Sequence, residues 1–138
     1  MVEVTATYEG ELRCKAVHGP SGGTLLTDAP TDNHGKGQAF SPTDLLAAAL
    51  PCCIMTIMGI VAQRHGLNLR GMRATTQKLM STDAPRRIAS LKTVLHVPLP
   101  ASHAQRQQLE NAAHTCPVHR SLAEGIDASI EFVWEGAG

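Results

Sequence analysis

The sequence predicts an α+β fold, with mainly antiparallel strands arranged around one long buried helix. Three observations predict it. Residues 41–65, SPTDLLAAALPCCIMTIMGIVAQRH, open with a helix-capping pattern and then run uncharged from Leu45 to Ala62. Apolar and polar residues alternate with strand periodicity near both ends of the chain. The resulting order is strands, long helix, strands, helices, strand, which is that of an α+β chain.

In chain order, Val2, Val4, Ala6 and Tyr8 alternate with polar neighbours, and after Glu9-Gly10 the residues Leu12, Cys14 and Ala16 do the same. This predicts a two-stranded hairpin. Cys14 falls on the apolar phase and is read as core packing. Thr24–Thr27 is a short third strand, and the Gly, Pro, Asp, Asn and His residues between Asp28 and Ala39 predict a loop.

The central helix follows. Ser41 is a good N-cap, Pro42 suits the first helical position, and Asp44 stands where a capping box wants its acidic partner. Its apolar residues fall on more than one line: Leu46, Leu50, Cys53, Ile57 and Ile60 on one, Leu45, Cys52, Met55 and Gly59 on another. A helix apolar all round is a buried one. About 18 uncharged residues also approaches the length of a membrane span, but Pro51, Thr56, Gly59, the cysteines and the alanines favour a core helix. Pro51 removes one backbone hydrogen bond and crowds the carbonyl of Ala47, which predicts a kink just before Cys52 and Cys53. Gly66 is the natural C-cap.

Leu69–Met80 and Ile88–Leu99 read as a strand pair, with Leu91, Thr93, Leu95 and Val97 on one face of the latter. Ser102 and Gln105 form a capping-box start for a helix that continues through Leu109, Ala112, Ala113 and Cys116. Pro117 stops that helix and opens another, with Cys116 at an N-cap that favours thiolate and Gly125 at its close. Ile126, Ala128, Ile130, Phe132 and Trp134 then alternate with polar residues as a final strand.

Length and charge narrow the function. At 138 residues the chain is sized for a single domain, 1–138. Lys plus Arg number 12 and Asp plus Glu number 12, so no global field recruits nucleic acid or an anionic membrane. The N-terminus MVEVTATYEG lacks a signal pattern, and the four cysteines are expected in a reducing cytoplasm.

Cys53 sits mid-helix beside a proline and Cys116 at a helix N-terminus, and no CxxC spacing links them. A low-pKa thiolate with a second thiol in reach can attack an oxidant and then condense to a disulfide. Inert packing is the plainer alternative. Zinc is a third, since Cys52, Cys53, His114, Cys116 and His119 carry suitable donors. Adjacent cysteines on a helix point about 100° apart, which ranks zinc lower. His114 and His119 flank Cys116 as candidate modulators of its pKa; His18, His34, His65, His96 and His103 read as solvated.

The runs SPTDLLAAALPCC and HTCPVHRSL together resemble the OsmC/Ohr family of thiol-dependent hydroperoxide reductases, over nearly the whole chain. The resemblance implies an OsmC-like fold, an intertwined homodimer with its long helices buried, an active site at the subunit interface, and no cofactor. It implies Cys53 as the peroxidatic thiolate attacking an organic hydroperoxide. Cys116 becomes the resolving thiol, and a dithiol reductant of lipoyl type reopens the disulfide.

Active members of the family place a Glu directly after the motif proline and an Arg from an N-terminal loop. Here Thr43 follows Pro42, the acid is Asp44 one position on, and Arg13 is the nearest Arg. That pattern resembles a YhfA-like branch. Cys52 is either packing or a substitute nucleophile. Two functional readings stand: a thiol peroxidase, or a non-peroxidase dimer of the same fold that senses redox state or binds a small apolar ligand.

Overall fold

The computed structural model describes residues 1–137. The chain divides into two compact units, Met1–Leu46 and Ala47–Gly138, with the division falling inside the long helix.

In the first unit, β1 (Val4–Gly10), β2 (Arg13–His18) and β3 (Thr24–Asp28) form an antiparallel sheet in that order. The β1–β2 turn places Gly10, Glu11 and Leu12 at φ of 86°, 54° and 64°, and the Tyr8 hydroxyl accepts the Leu12 N–H at 3.3 Å. Positive φ at successive turn residues matches the right-handed twist of a hairpin. The predicted loop is present and folds back on the end of β3. Asp28 N–H donates to the Phe40 carbonyl at 3.1 Å, while Asp28 Oδ2 accepts from Gln38 N–H at 3.0 Å. Gly37 N–H donates to the Ala29 carbonyl at 3.2 Å.

Helix α1 (Pro42–Arg64) begins with the capping box the sequence predicts. Ser41 N–H donates to Asp44 Oδ2 at 2.9 Å, and Asp44 N–H donates to Ser41 Oγ at 3.1 Å. At its other end Gly66 adopts φ 65°, Gly66 N–H donates to Gln63 O at 3.2 Å, and Leu67 N–H to Ala62 O at 2.9 Å. That pair of bonds is a Schellman motif. The helix runs unbroken through Pro51.

Leu50, Ile54, Met58 and Ala62, four residues apart, form its buried stripe, while other apolar positions such as Ile60 face outward on the single chain. By length and composition α1 is able to cross a membrane. The four-residue stripe is buried within the chain, and most of the apolar window around it is not.

The second unit holds a sheet of order β4-β5-β6, made of β4 (Arg73–Met80), β5 (Ile88–Val97) and β6 (Ile130–Trp134). Helices α2 (Arg106–His114) and α3 (Pro117–Arg120) lie in the connection between β5 and β6. That crossover lets β6 pair parallel to β5, whereas the other strand pairings are antiparallel. Leu91, Thr93, Leu95 and Val97 are all buried, as their shared phase predicts. The Thr93 hydroxyl is satisfied by Thr76 Oγ1 at 2.8 Å.

Several boundaries differ from expectation for local reasons. Gly71 at φ 92° turns the chain after Leu69, so β4 starts at Arg73. β5 ends at Val97 rather than Leu99. The Ser102–Gln105 box does not form: Gln105 N–H donates to His103 Nδ1 at 3.1 Å, and α2 starts at Arg106 without a side-chain cap. Helix α3 is one turn and ends at Arg120, well before Gly125. Asp127 joins β5 through an isolated parallel bridge to Ser90 outside the strand, and β6 becomes regular at Ile130.

Candidate functional site

A thiol pair joins the middle of α1 to the start of α3. Cys116 is fully buried, with extended backbone (φ −63°, ψ 143°), and Pro117 occupies the first helical position. Its Sγ accepts the His119 backbone N–H at 3.3 Å, which makes the thiol itself the N-cap acceptor. The half-buried Cys53 lies close enough to Cys116 to interact with it. All four cysteines are free thiols.

The electrostatics of Cys116 run against the sequence expectation of a favoured thiolate. Burial pushes its pKa up, the His119 N–H opposes that, the neighbouring Cys53 reinforces it, and the Val118 N–H opposes it. Loss of hydration outweighs the helix-terminal donors because a buried thiolate has no water around it. Cys116 therefore holds its proton more tightly than an ordinary thiol.

Of the flanking histidines, His119 meets the sulfur through its backbone and not its ring. The ring Nε2 lies 3.1 Å from the Ala128 carbonyl, so Nε2 carries the proton and donates. His114 packs edge-on against His119, with ring centroids 6.2 Å apart, and against Phe132 at 5.8 Å. Cys52 is exposed, and its carbonyl accepts the Thr56 hydroxyl at 2.8 Å. Cys14, expected in the core, is half-buried.

The remaining candidates belong to the first unit. Asp44 takes part in the capping box, and the Thr43 hydroxyl lies 3.2 Å from Ser41 Oγ. Arg13 is half-buried on β2 and lines a cavity of about 250 Å³ with Glu9, Gly10, Glu11 and Leu26. Among the described residues, no three His, Cys, Asp or Glu side chains gather into a metal-binding group.

Two features had no readable signal in the sequence. Asp28 is buried with Oδ1 unpaired among the described residues. His96, read as solvated, instead lies 2.6 Å from Glu135 Oε1, and Arg73 grips the same carboxylate at 2.9 and 3.0 Å. The Arg73 hydrogen bonds, and then the one from His96, hold the Glu135 carboxyl below its usual range. His96 and Glu135 meet only because β5 and β6 are paired in parallel, a relationship that no local pattern displays.

Fold and thiol pair together define an α+β protein with two facing cysteines. The family of OsmC-like proteins matches residues 35–131, and the chain belongs to that family. Its structure is similar to that of a Psychrobacter arcticus 273-4 protein provisionally named for osmotic stress induction and detoxification response. That match has 38% identity, covers 96% of each chain, and has a TM-score of 0.89. The fold is also that of the Legionella pneumophila OsmC organic hydroperoxide resistance protein, at 18% identity, 96% of each chain and a TM-score of 0.74. Bacillus subtilis OhrB, an organic hydroperoxide resistance protein, shares it at 19% identity, 96% of this chain, 98% of that one and a TM-score of 0.69. Comparison with curated protein sequences gives no match.

Proposed function

We propose that the protein is a thiol-dependent peroxidase for organic hydroperoxides, acting as a single OsmC-like domain in a homodimer within a reducing compartment such as the cytoplasm. The observation that carries this reading is the proximity of Cys53 and Cys116, two thiols brought together from separate elements. The Cys53 thiolate attacks the terminal oxygen of the hydroperoxide. The O–O bond breaks, Cys53 becomes a sulfenic acid, and the alkoxide leaves and takes up a proton as alcohol. Cys116, once deprotonated, attacks the Cys53 sulfur; hydroxide leaves as water and an intramolecular disulfide forms. A dithiol, lipoyl in type, reduces the disulfide by exchange and is itself oxidised to a disulfide.

Assigning the attacking role to Cys53 follows from the upward shift at Cys116. A buried thiol that holds its proton is a poor first nucleophile, but it serves as resolver once a sulfenic acid faces it. The hydroperoxide resistance proteins that share the fold suggest the substrate class.

One observation favours a second reading. Asp44, the nearest acid to the motif proline in the sequence, is engaged in capping α1. A chain without a carboxylate to orient the peroxide is suited to redox sensing or to binding a small apolar ligand.

The deciding experiment mixes reduced protein with one equivalent of cumene hydroperoxide or t-butyl hydroperoxide and follows thiol loss in a single turnover. Rapid loss of two thiols, abolished in Cys53→Ser and converted to a trapped sulfenic acid in Cys116→Ser, is the expected result. Loss no faster than that of a free thiol overturns the peroxidase in favour of the sensor or binder.

A further inference from the structure

We infer that His119 is a positioning residue for the resolving half of the reaction: its ring, anchored to the Ala128 carbonyl, holds the one-turn helix whose backbone N–H groups hold Cys116 Sγ. This deepens the proposed function and rests on its assignment of Cys116 as resolver. Helix α3 has only four residues. An isolated turn of that length is not stable alone, because nucleation fixes several residues for a single hydrogen bond. Something outside the turn must hold it.

The structure supplies a polar hold at His119 beside the burial of Cys116. His119 Nε2 donates to Ala128 O at 3.1 Å, which ties the turn to the segment leading into β6. Its ring packs edge-on against His114, which in turn packs against Phe132 of β6. The same residue's backbone N–H donates to Cys116 Sγ at 3.3 Å. Ring anchor and sulfur contact therefore move as one body. Arg120 N–H also donates to the Cys116 carbonyl at 3.0 Å, closing the turn around the cysteine.

The chemical consequence falls on one step. In the reduced state Cys116 is a buried neutral thiol, and the His119 N–H makes a weak contact to sulfur. During resolution Cys116 must carry negative charge while it displaces hydroxide from the Cys53 sulfenic acid. The His119 and Val118 N–H groups then become charge-assisted donors to a thiolate, roughly twice as strong as neutral ones. Attack by Cys53 on the peroxide places no charge on Cys116 and therefore draws far less on the anchor.

The test measures the two steps separately in wild type, His119→Ala and His119→Gln. Gln carries an amide N–H at nearly the reach of Nε2 and can restore the bond to Ala128. Sulfenic acid formation is followed by thiol loss after one equivalent of cumene hydroperoxide, and resolution by the decay of dimedone-trappable sulfenic acid. His119→Ala is expected to leave the first step within about twofold and to slow the second about tenfold, the loss expected for one hydrogen bond to a charged group. His119→Gln is expected to recover most of that loss.

A separate arm oxidises each reduced protein with glutathione disulfide, where Cys116 resolves a mixed disulfide on Cys53 and no peroxide is needed. The same tenfold defect and rescue are expected there. If wild type reacts slowly with peroxide but the glutathione arm shows the defect, the peroxidase reading fails and the positioning role stands. Equal resolution rates in wild type and His119→Ala overturn the positioning role, as does a Gln variant no better than Ala. Equal slowing of both steps overturns it as well, because that marks a general loss of structure.

Discussion

Cys53 and Cys116 come close enough to interact although one lies mid-helix in α1 and the other caps α3, and the two are unequal. Cys53 is half-buried, whereas Cys116 is sealed from solvent and pushed toward the neutral thiol. The inequality gives the pair a direction. The accessible sulfur meets an incoming oxidant first, and the buried one waits.

This inequality predicts an order of alkylation. With iodoacetamide near neutral pH, the exposed Cys52 should react first and Cys116 last, by a margin of about a hundredfold, because Cys52 is open to the reagent while Cys116 is buried and holds its proton tightly. Peptide mapping of partially alkylated protein reads the order directly. Early labelling of Cys116 in folded protein contradicts the burial argument.

The same shift has a consequence for stability. The folded state holds the Cys116 proton more tightly than the unfolded chain does. Its contribution is therefore fully present below the unfolded thiol pKa, roughly 8.5, and is lost as pH rises through the higher folded value. Urea unfolding of reduced protein between neutral and strongly alkaline pH should show stability falling with pH, less steeply in Cys116→Ala. Equal slopes for the two proteins would count against a raised Cys116 pKa.

Much of this site was legible in the sequence, and the gaps have identifiable causes. The capping box at Ser41 and Asp44, the Gly66 C-cap and the Cys116-Pro117 helix start are short-range patterns, written within a few residues and formed as written. The shared face of Leu91, Thr93, Leu95 and Val97 was equally plain. What failed was competition between neighbours. Ser102 carries a good cap pattern, but His103 Nδ1 captures the Gln105 N–H and the helix starts later. The direction of the Cys116 shift is not legible in the sequence, because helix-end donors are visible there and burial is not.

Capping of α1 offers a direct stability test. Replacing Ser41 by Ala removes the acceptor for Asp44 N–H, at a cost of about 1 kcal/mol. For a chain of this size that lowers Tm by roughly 3–5 °C. Asp44→Ala should cost a similar amount, and the double variant less than the sum, because the two side chains belong to one reciprocal motif. Thermal melts of the three variants measure the coupling, and strict additivity would argue against a box.

Glycines separate into tight and free positions. A Cβ on Gly35 would stand 1.7 Å from the Ala29 carbonyl oxygen, a backbone atom that cannot move without opening the loop after β3. Gly35→Ala should therefore cost about 2–3 kcal/mol. A Cβ on Gly59 meets nothing within 4 Å, so within a single chain Gly59→Ala should stabilise α1 by up to about 1 kcal/mol. Denaturant unfolding of both variants checks the contrast.

Gly59 also bears on the proposed homodimer, because α1 is buried along only one stripe. Ile60 remains 42% exposed, and in the first sheet Val4, Tyr8, Leu25 and Leu26 are 63%, 63%, 42% and 52% exposed. Large apolar side chains standing open on both α1 and a three-stranded sheet are what a chain shows when a second copy completes its core. Sedimentation of wild type at micromolar concentration should give a dimer. Ile60→Glu and Leu26→Glu, each placing a charge on an open apolar position, should shift the equilibrium to monomer by at least tenfold and lower thermal stability with it. Lys36→Glu, an exposed charge reversal in the loop after β3, serves as the control and should leave association unchanged. If wild type sediments as a monomer across that range, the apolar surface must be covered in some other way, and the dimer is wrong.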